Sequence, residues 1–152
     1  MDSLSKQRRS WNMSRIRSKG TRPELALTAA IRQLGFLVET HVSHLPGSPD
    51  LILPRARIAI FLHGCFWHRH GKCKYAYTPK SRIRFWLTKF DENKRRDRRV
   101  RARLRAAGWR VLVVWECDLR RKPLRNHLKE KITRLRSTSS LQPRSQTVKP
   151  PV

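Results

Sequence analysis

The chain has 152 residues, with 36 Lys and Arg against 10 Asp and Glu, a formal charge of +26. Such an excess must be offset by a polyanion or by bound counterions; nucleic acid is the leading partner, because dense phosphates and released counterions reward it. No apolar run approaches about 20 residues and no long helix has a clean basic face, so no membrane partner is expected, while five Trp exclude a wholly disordered basic tail.

Residues 1–20 form a basic N-terminal arm (Lys6, Arg8, Arg9, Arg15, Arg17, Lys19) without the apolar core of a secretory signal. It is either a frayed terminus or an arm that orders on phosphates, and Trp11 and Met13 argue against complete disorder. Residues 21–136 hold the single folded domain. Thr21 and Glu24 form a capping box with Pro23 in the first turn. Leu27, Ala30, Ile31 and Leu34 give the helix its apolar stripe, and Gly35 ends it. Glu24 extends that stripe at its start, as a cap or as a carboxylate aimed into a site.

Phe36 to His41 is predicted as a strand, and His44 to Pro49 as a loop. Asp50–Leu53 and Arg57–Leu62 are short apolar strands, hairpin-paired across Pro54-Arg55-Ala56 and buried on both faces. Thr78-Pro79 opens a short helix to about Lys89, and Asp91 opens another that Gly108 closes. On the latter, Asn93, Asp97, Val100, Leu104 and Ala107 share one face, directed at the sheet. Trp109–Glu116 is the clearest strand; following a helix, it should lie parallel beside the hairpin and deliver Cys117. A last basic helix runs from Pro123 to about Leu135, and residues 137–152, rich in Ser, Gln, Pro and Lys, are expected as a disordered tail. The fold class is therefore α/β.

Thirteen residues, Phe61 to Cys73, hold three His and two Cys around a Phe-Trp pair. Cys65, His70, Cys73 and Cys117 use every cysteine of the chain and would close a tetrahedral structural zinc site; the alternative is three buried thiols. His63 and His68 stand outside that set, as acid/base groups or as supporting residues. Asp50, with Glu24 and Asp97, would make an oxygen-rich Mg²⁺ site for phosphodiester hydrolysis, against caps and salt bridges as the plainer roles. Phe66, Trp67 and Trp86 are either core or apolar wedges between base pairs.

Gly47-Ser48-Pro49-Asp50, His63-Gly64-Cys65-Phe66-Trp67-His68, Phe85-Trp86, Arg96-Asp97 and the run from Gly108 to Cys117 resemble the very-short-patch-repair (Vsr) DNA mismatch endonucleases. The likeness covers about Asn12 to Leu119. It implies a restriction-endonuclease-like α/β/α domain with a central mixed sheet and a structural zinc. It also implies a bacterial, cytoplasmic, nucleoid-associated enzyme, a monomer linked to a DNA cytosine methyltransferase. Such an enzyme nicks one strand of duplex DNA 5′ of the T in a T:G mismatch, with Mg²⁺. The resemblance assigns Mg²⁺ to Asp50 and the Leu62 backbone carbonyl, and active-site roles to His63 and His68, with His68 activating water. Glu24 and Asp97 would support the metal waters and orient the histidines, zinc ligands are Cys65, His70, Cys73 and Cys117, and DNA wedges are Phe66, Trp67 and Trp86; Met13 of the arm is a further expected DNA contact. Leu62 replaces the family's threonine, one residue more separates His70 from Cys73, and histidine stands where this fold usually has lysine. The residues themselves also fit a sequence-specific or mobile-element nuclease that needs no mismatch, or a non-enzymatic basic zinc protein on DNA.

Overall fold

The computed structural model describes residues 7–8 and 20–137. Trp11, Met13 and most of the basic arm, and the tail from 138 on, lie outside the described residues. Helix α1 (Arg22–Gln33) starts as the sequence indicates: Glu24 N–H donates to Thr21 Oγ1 at 3.4 Å, and the Glu24 carboxylate accepts from Gly20 N–H at 2.7 Å and from the Thr21 hydroxyl at 3.1 Å. Leu27, Ala30 and Ile31 are buried.

Four strands follow: β1 (Glu39–Thr40), β2 (Leu51–Leu53), β3 (Ile58–His63) and, after the helices α2 (Cys65–His68) and α3 (Ile83–Ala106), β4 (Arg110–Trp115). They form one mixed sheet in the order β1-β2-β3-β4, antiparallel except for the parallel pair β3/β4. Helix α4 (Leu124–Ser137) packs with α1 on one face, over Leu51, Leu53, Ile58, Ile60, Leu112 and Val114. Leu104 of α3 covers the other face with Val42, Ile52, Ala59 and Val111. Helices thus cover both faces, which is why β2 and β3 are continuous apolar runs rather than alternating ones. Among the described residues no helix is long and apolar enough to cross a membrane.

Five expectations change. The strand expected over Phe36–His41 shrinks to two exposed residues at the sheet edge, because Val38 turns into the core and His41 takes φ 58°, which ends extended pairing. The two helices expected on either side of Phe90 are one of 24 residues; nothing between Lys89 and Asp91 breaks it, and Phe90 is buried. It begins at Ile83 rather than at Thr78-Pro79, because the Thr78 hydroxyl accepts instead from Arg69 at 2.8 Å. Asn93, Asp97, Val100 and Leu104 face inward, but Ala107 is the exposed C-cap. Ser137, expected to open the tail, ends α4.

One glycine sets the approach to the site. Gly47 has φ +75°, and a Cβ there would lie 2.3 Å from Val100 Cγ1. The loop that presents Asp50 thus passes directly against α3.

Candidate active site

Parallel pairing sets His63 opposite Trp115, so the two strands end side by side and their following turns meet. From β3, Gly64 leads into α2, which carries Cys65, Phe66, Trp67 and His68. From β4, a 3₁₀ turn over Glu116–Arg120 carries Cys117. Asp97 enters from α3. Its Oδ2 lies 2.6 Å from His68 Nδ1 and 4.0 Å from His63 Nδ1, and the two imidazoles stack with centroids 3.8 Å apart at 16°. A carboxylate at that distance takes the Nδ1 N–H of His68, so that the neutral form of the ring carries its lone pair on Nε2. His63 is buried. Burial first, and then the neighbouring His68, push its pKa down to about 4, against the opposing pull of Asp97. It is therefore neutral at pH 7.

Asp50 stands just before β2, and its Oδ2 accepts from the Leu62 backbone N–H at 2.7 Å. Burial pushes its carboxyl up, only partly opposed by the Leu62 amide, and Glu24 adds to the rise. A desolvated carboxylate facing another acid gains from a cation, and one carboxylate with a nearby backbone carbonyl is a donor set Mg²⁺ accepts when water and phosphate complete it. The ligand atoms of Asp50, Glu24 and Asp97 do not all lie within 4.8 Å of one another. Asp97 is drawn to the histidines and forms a metal-capable group with His63 and His68 only. The Glu24 carboxylate is held by the capping box, so it acts on Asp50 by charge at a distance.

Cys65, His70, Cys73 and Cys117 converge, with ligand atoms all within 4.8 Å of one another. His70 Nε2 is 3.4 Å from both Cys65 Sγ and Cys117 Sγ. Ligands about 2.3 Å from a zinc ion stand roughly 3.8 Å apart at tetrahedral corners, so the four fit that ion. Burial pushes the Cys65 thiol up to about 12. Ionising that thiol requires a cation at the centre.

Phe66, Trp67 and Trp86 join in one half-buried cluster: Phe66 lies 5.1 Å from Trp67, 5.3 Å from Trp86 and 5.4 Å from Phe90, ring centre to ring centre. Tyr77, Ile83 and Phe85 stand exposed on the same segment, with Arg82 5.0 Å over Phe85.

Residues 1–74 match the family model described as DNA mismatch endonuclease Vsr. The type II nicking enzyme V.XorIIP of Xanthomonas oryzae pv. oryzae is 47% identical over 118 residues, 78% of this chain and 86% of its own length. The DNA mismatch endonuclease Vsr of Escherichia coli is 43% identical over 119 residues, 78% of this chain and 76% of its own. The chain belongs to the Vsr family of DNA endonucleases. A further Vsr-like relative, the type II nicking enzyme V.NmeAIP of Neisseria meningitidis, is 35% identical over 134 residues, 88% of this chain and 93% of its own length.

Three residues around this Vsr site, Arg69, Asp118 and His127, escaped the sequence reading, and Asn93 was read without its partner. The Arg69 guanidinium donates to Thr78 Oγ1 at 2.8 Å and to the Ala76 carbonyl at 2.7 Å, and lies 4.5 Å over the Phe90 ring. It pins the loop between α2 and α3. Asn93 was placed on the inward face, but without its partner: its side-chain amide donates to the Trp67 carbonyl at 3.1 Å. Asp118, 4% exposed, accepts from Trp115 N–H at 3.1 Å and from Lys131 Nζ at 2.5 Å, fixing the Cys117 turn to α4. His127 Nε2 lies 3.3 Å from the same carboxylate but is not aligned to donate to it. The positive charges in a motif-free stretch such as 118–131 gave no signal; only the folded turn brings them together.

Proposed function

We propose that the chain is a Mg²⁺-dependent endonuclease that nicks one strand of duplex DNA 5′ of the T in a T:G mismatch, on a restriction-endonuclease-like fold. The observation that carries the reading is the Asp97–His68 pair at 2.6 Å beside a stacked, neutral His63, with Asp50 presented by the neighbouring strand. Asp97 holds His68 in the tautomer whose Nε2 takes a proton from water. The water oxygen bonds to phosphorus as the P–O ester bond breaks, and the leaving oxygen takes a proton from solvent. His63, uncharged, offers an N–H to the phosphate oxygens as charge develops. Asp50 and the Leu62 carbonyl would hold Mg²⁺, which supplies positive charge at the scissile phosphate. Cys65, His70, Cys73 and Cys117 would hold Zn²⁺, which fixes the loop carrying Phe66, Trp67 and His68 and takes no part in hydrolysis.

The rings of Phe66, Trp67 and Trp86 give the wedge at the mismatch, and Met13 reaches the duplex from the arm. The enzyme acts as a monomer in the bacterial cytoplasm, on the nucleoid, alongside a cytosine methyltransferase whose product deaminates to T:G. Asp50→Ala and His68→Ala should bind a labelled T:G duplex and fail to nick it; normal nicking by either variant overturns the assignment. Relatives named type II nicking enzymes favour one second reading, a sequence-specific nicking enzyme on the same fold. It predicts equal nicking of T:G and T:A duplexes in the recognised sequence.

A further inference from the structure

The catalytic groups lie where β3 and β4 end. At the other end, a cavity of about 510 Å³ opens between the C-terminal end of α1, the β2–β3 turn and the end of α4. Arg32, Arg55 and Arg136 line it, together with Phe36, Leu53 and Ala56. Leu53 pairs with Ile58, the first residue of β3, whereas the catalytic residue His63 is its last. Five strand steps, roughly 16 Å, therefore separate this cavity from the site.

In a chain with 36 cations and 10 acids, an arginine without a carboxylate is the rule. These three share one concave surface with Phe36, Leu53 and Ala56. Among the described residues, Asp91, Glu92, Asp97 and Asp118 form the ion pairs, and none involves Arg32, Arg55 or Arg136. Arg32 and Arg136 each sit in the last turn of a helix, where a cation offsets the helix dipole. That reason does not bring Arg55, on the β2–β3 turn, to the same place.

We propose that this cavity binds backbone phosphates of a second nucleic-acid segment, so that one chain bridges two duplexes. Guanidinium groups pair with phosphate oxygens through two parallel N–H bonds. The volume is that of a small-ligand site, enough for one or two phosphates and their sugars. The distance from His63 means that the phosphate held here is not the one cleaved. The inference relies on the endonuclease reading only for the first duplex.

The test is a capture assay on the full chain. A duplex with one T:G mismatch is immobilised, loaded with protein without Mg²⁺ and washed, and capture of a fluorescent second duplex is measured per bound protein. The variant Arg32→Ala/Arg55→Ala/Arg136→Ala should capture about tenfold less. The charge-matched control Arg98→Ala/Arg99→Ala/Arg103→Ala, on the exposed face of α3, should capture like the parent. Both variants should nick the T:G duplex at the parent rate once Mg²⁺ is added, which also shows that they fold. The proposal is overturned if the parent captures no second duplex, if the triple variant captures as well as the parent, or if the control loses as much. Capture by a chain that does not nick would sink the catalytic reading and leave this one standing.

Discussion

Asp97→Asn probes the histidine pair with the least change in shape. Asp97 is 12% exposed, and its Oδ2 is 2.6 Å from His68 Nδ1. An asparagine that turns its amide nitrogen to Nδ1 forces the ring proton onto Nε2, and no lone pair is left for the attacking water. One that turns its oxygen keeps the tautomer but loses the charge that steadies the imidazolium as it forms. Either way the general-base contribution goes, about 10²–10⁴-fold in rate. That is roughly 2.7–5.5 kcal/mol of barrier at about 1.36 kcal/mol per decade. His63 does not take over: burial and His68 hold it near a pKa of about 4, and Asp97 is the charge that opposes them. Without Asp97 it is pushed lower still and stays neutral. The assay is single-turnover nicking of a labelled T:G duplex across pH, with duplex binding measured beside it. Binding should hold while the rate falls by that factor. A variant that nicks at the parent rate with the parent pH profile refutes the reasoning.

Two further outcomes follow from the zinc-side turn and its support. Lys131→Met removes a charged hydrogen bond to the buried Asp118 and should cost about 1.5–3 kcal/mol in urea unfolding at pH 7. Burial alone would raise the Asp118 carboxyl, but the Lys131 hydrogen bond, the Trp115 amide and the nearby charges outweigh it and hold the carboxyl below its ordinary value of 3.8. The folded state therefore favours the ionised form. That stability is present above the ordinary carboxylate range and is lost as pH falls through the folded value, so the Lys131→Met deficit should shrink in acid; an equal deficit at pH 7 and pH 3 contradicts it. The purified chain should hold one equivalent of zinc, and a strong chelator should lower its melting temperature in a way that added Mg²⁺ does not restore. A zinc-free chain, or one whose melting ignores the chelator, removes the structural role of the four ligands.

What could be seen in the sequence was what local chemistry dictates. Thr21 and Glu24 announced α1, and the apolar runs around Ile58 and Val111 announced a sheet buried on both faces. Cys65, His70, Cys73 and Cys117 could be grouped before folding because they exhaust the cysteines, and the structure brings those four together. Tertiary partners decided the rest. Thr78-Pro79 has the chemistry of a helix start, yet Arg69 claims the threonine and the helix waits for Ile83. Helical spacing gave Asp97 its inward direction, but position on α3 does not say whether a carboxylate will meet Asp50 or His68; only the family resemblance pointed it at the histidines, where it lies 2.6 Å from His68. Asp118 was invisible because Lys131 lies thirteen positions on, on a different element.

The most direct test is a nicking assay on three labelled duplexes that differ at one pair, T:G, T:A and C:G, each with and without Mg²⁺. Nicking 5′ of the mismatched T, with Mg²⁺ only and little on the other two, is the expected result. Equal cutting of all three would contradict mismatch recognition, and no cutting of any by zinc-loaded, DNA-bound protein would contradict the endonuclease mechanism itself.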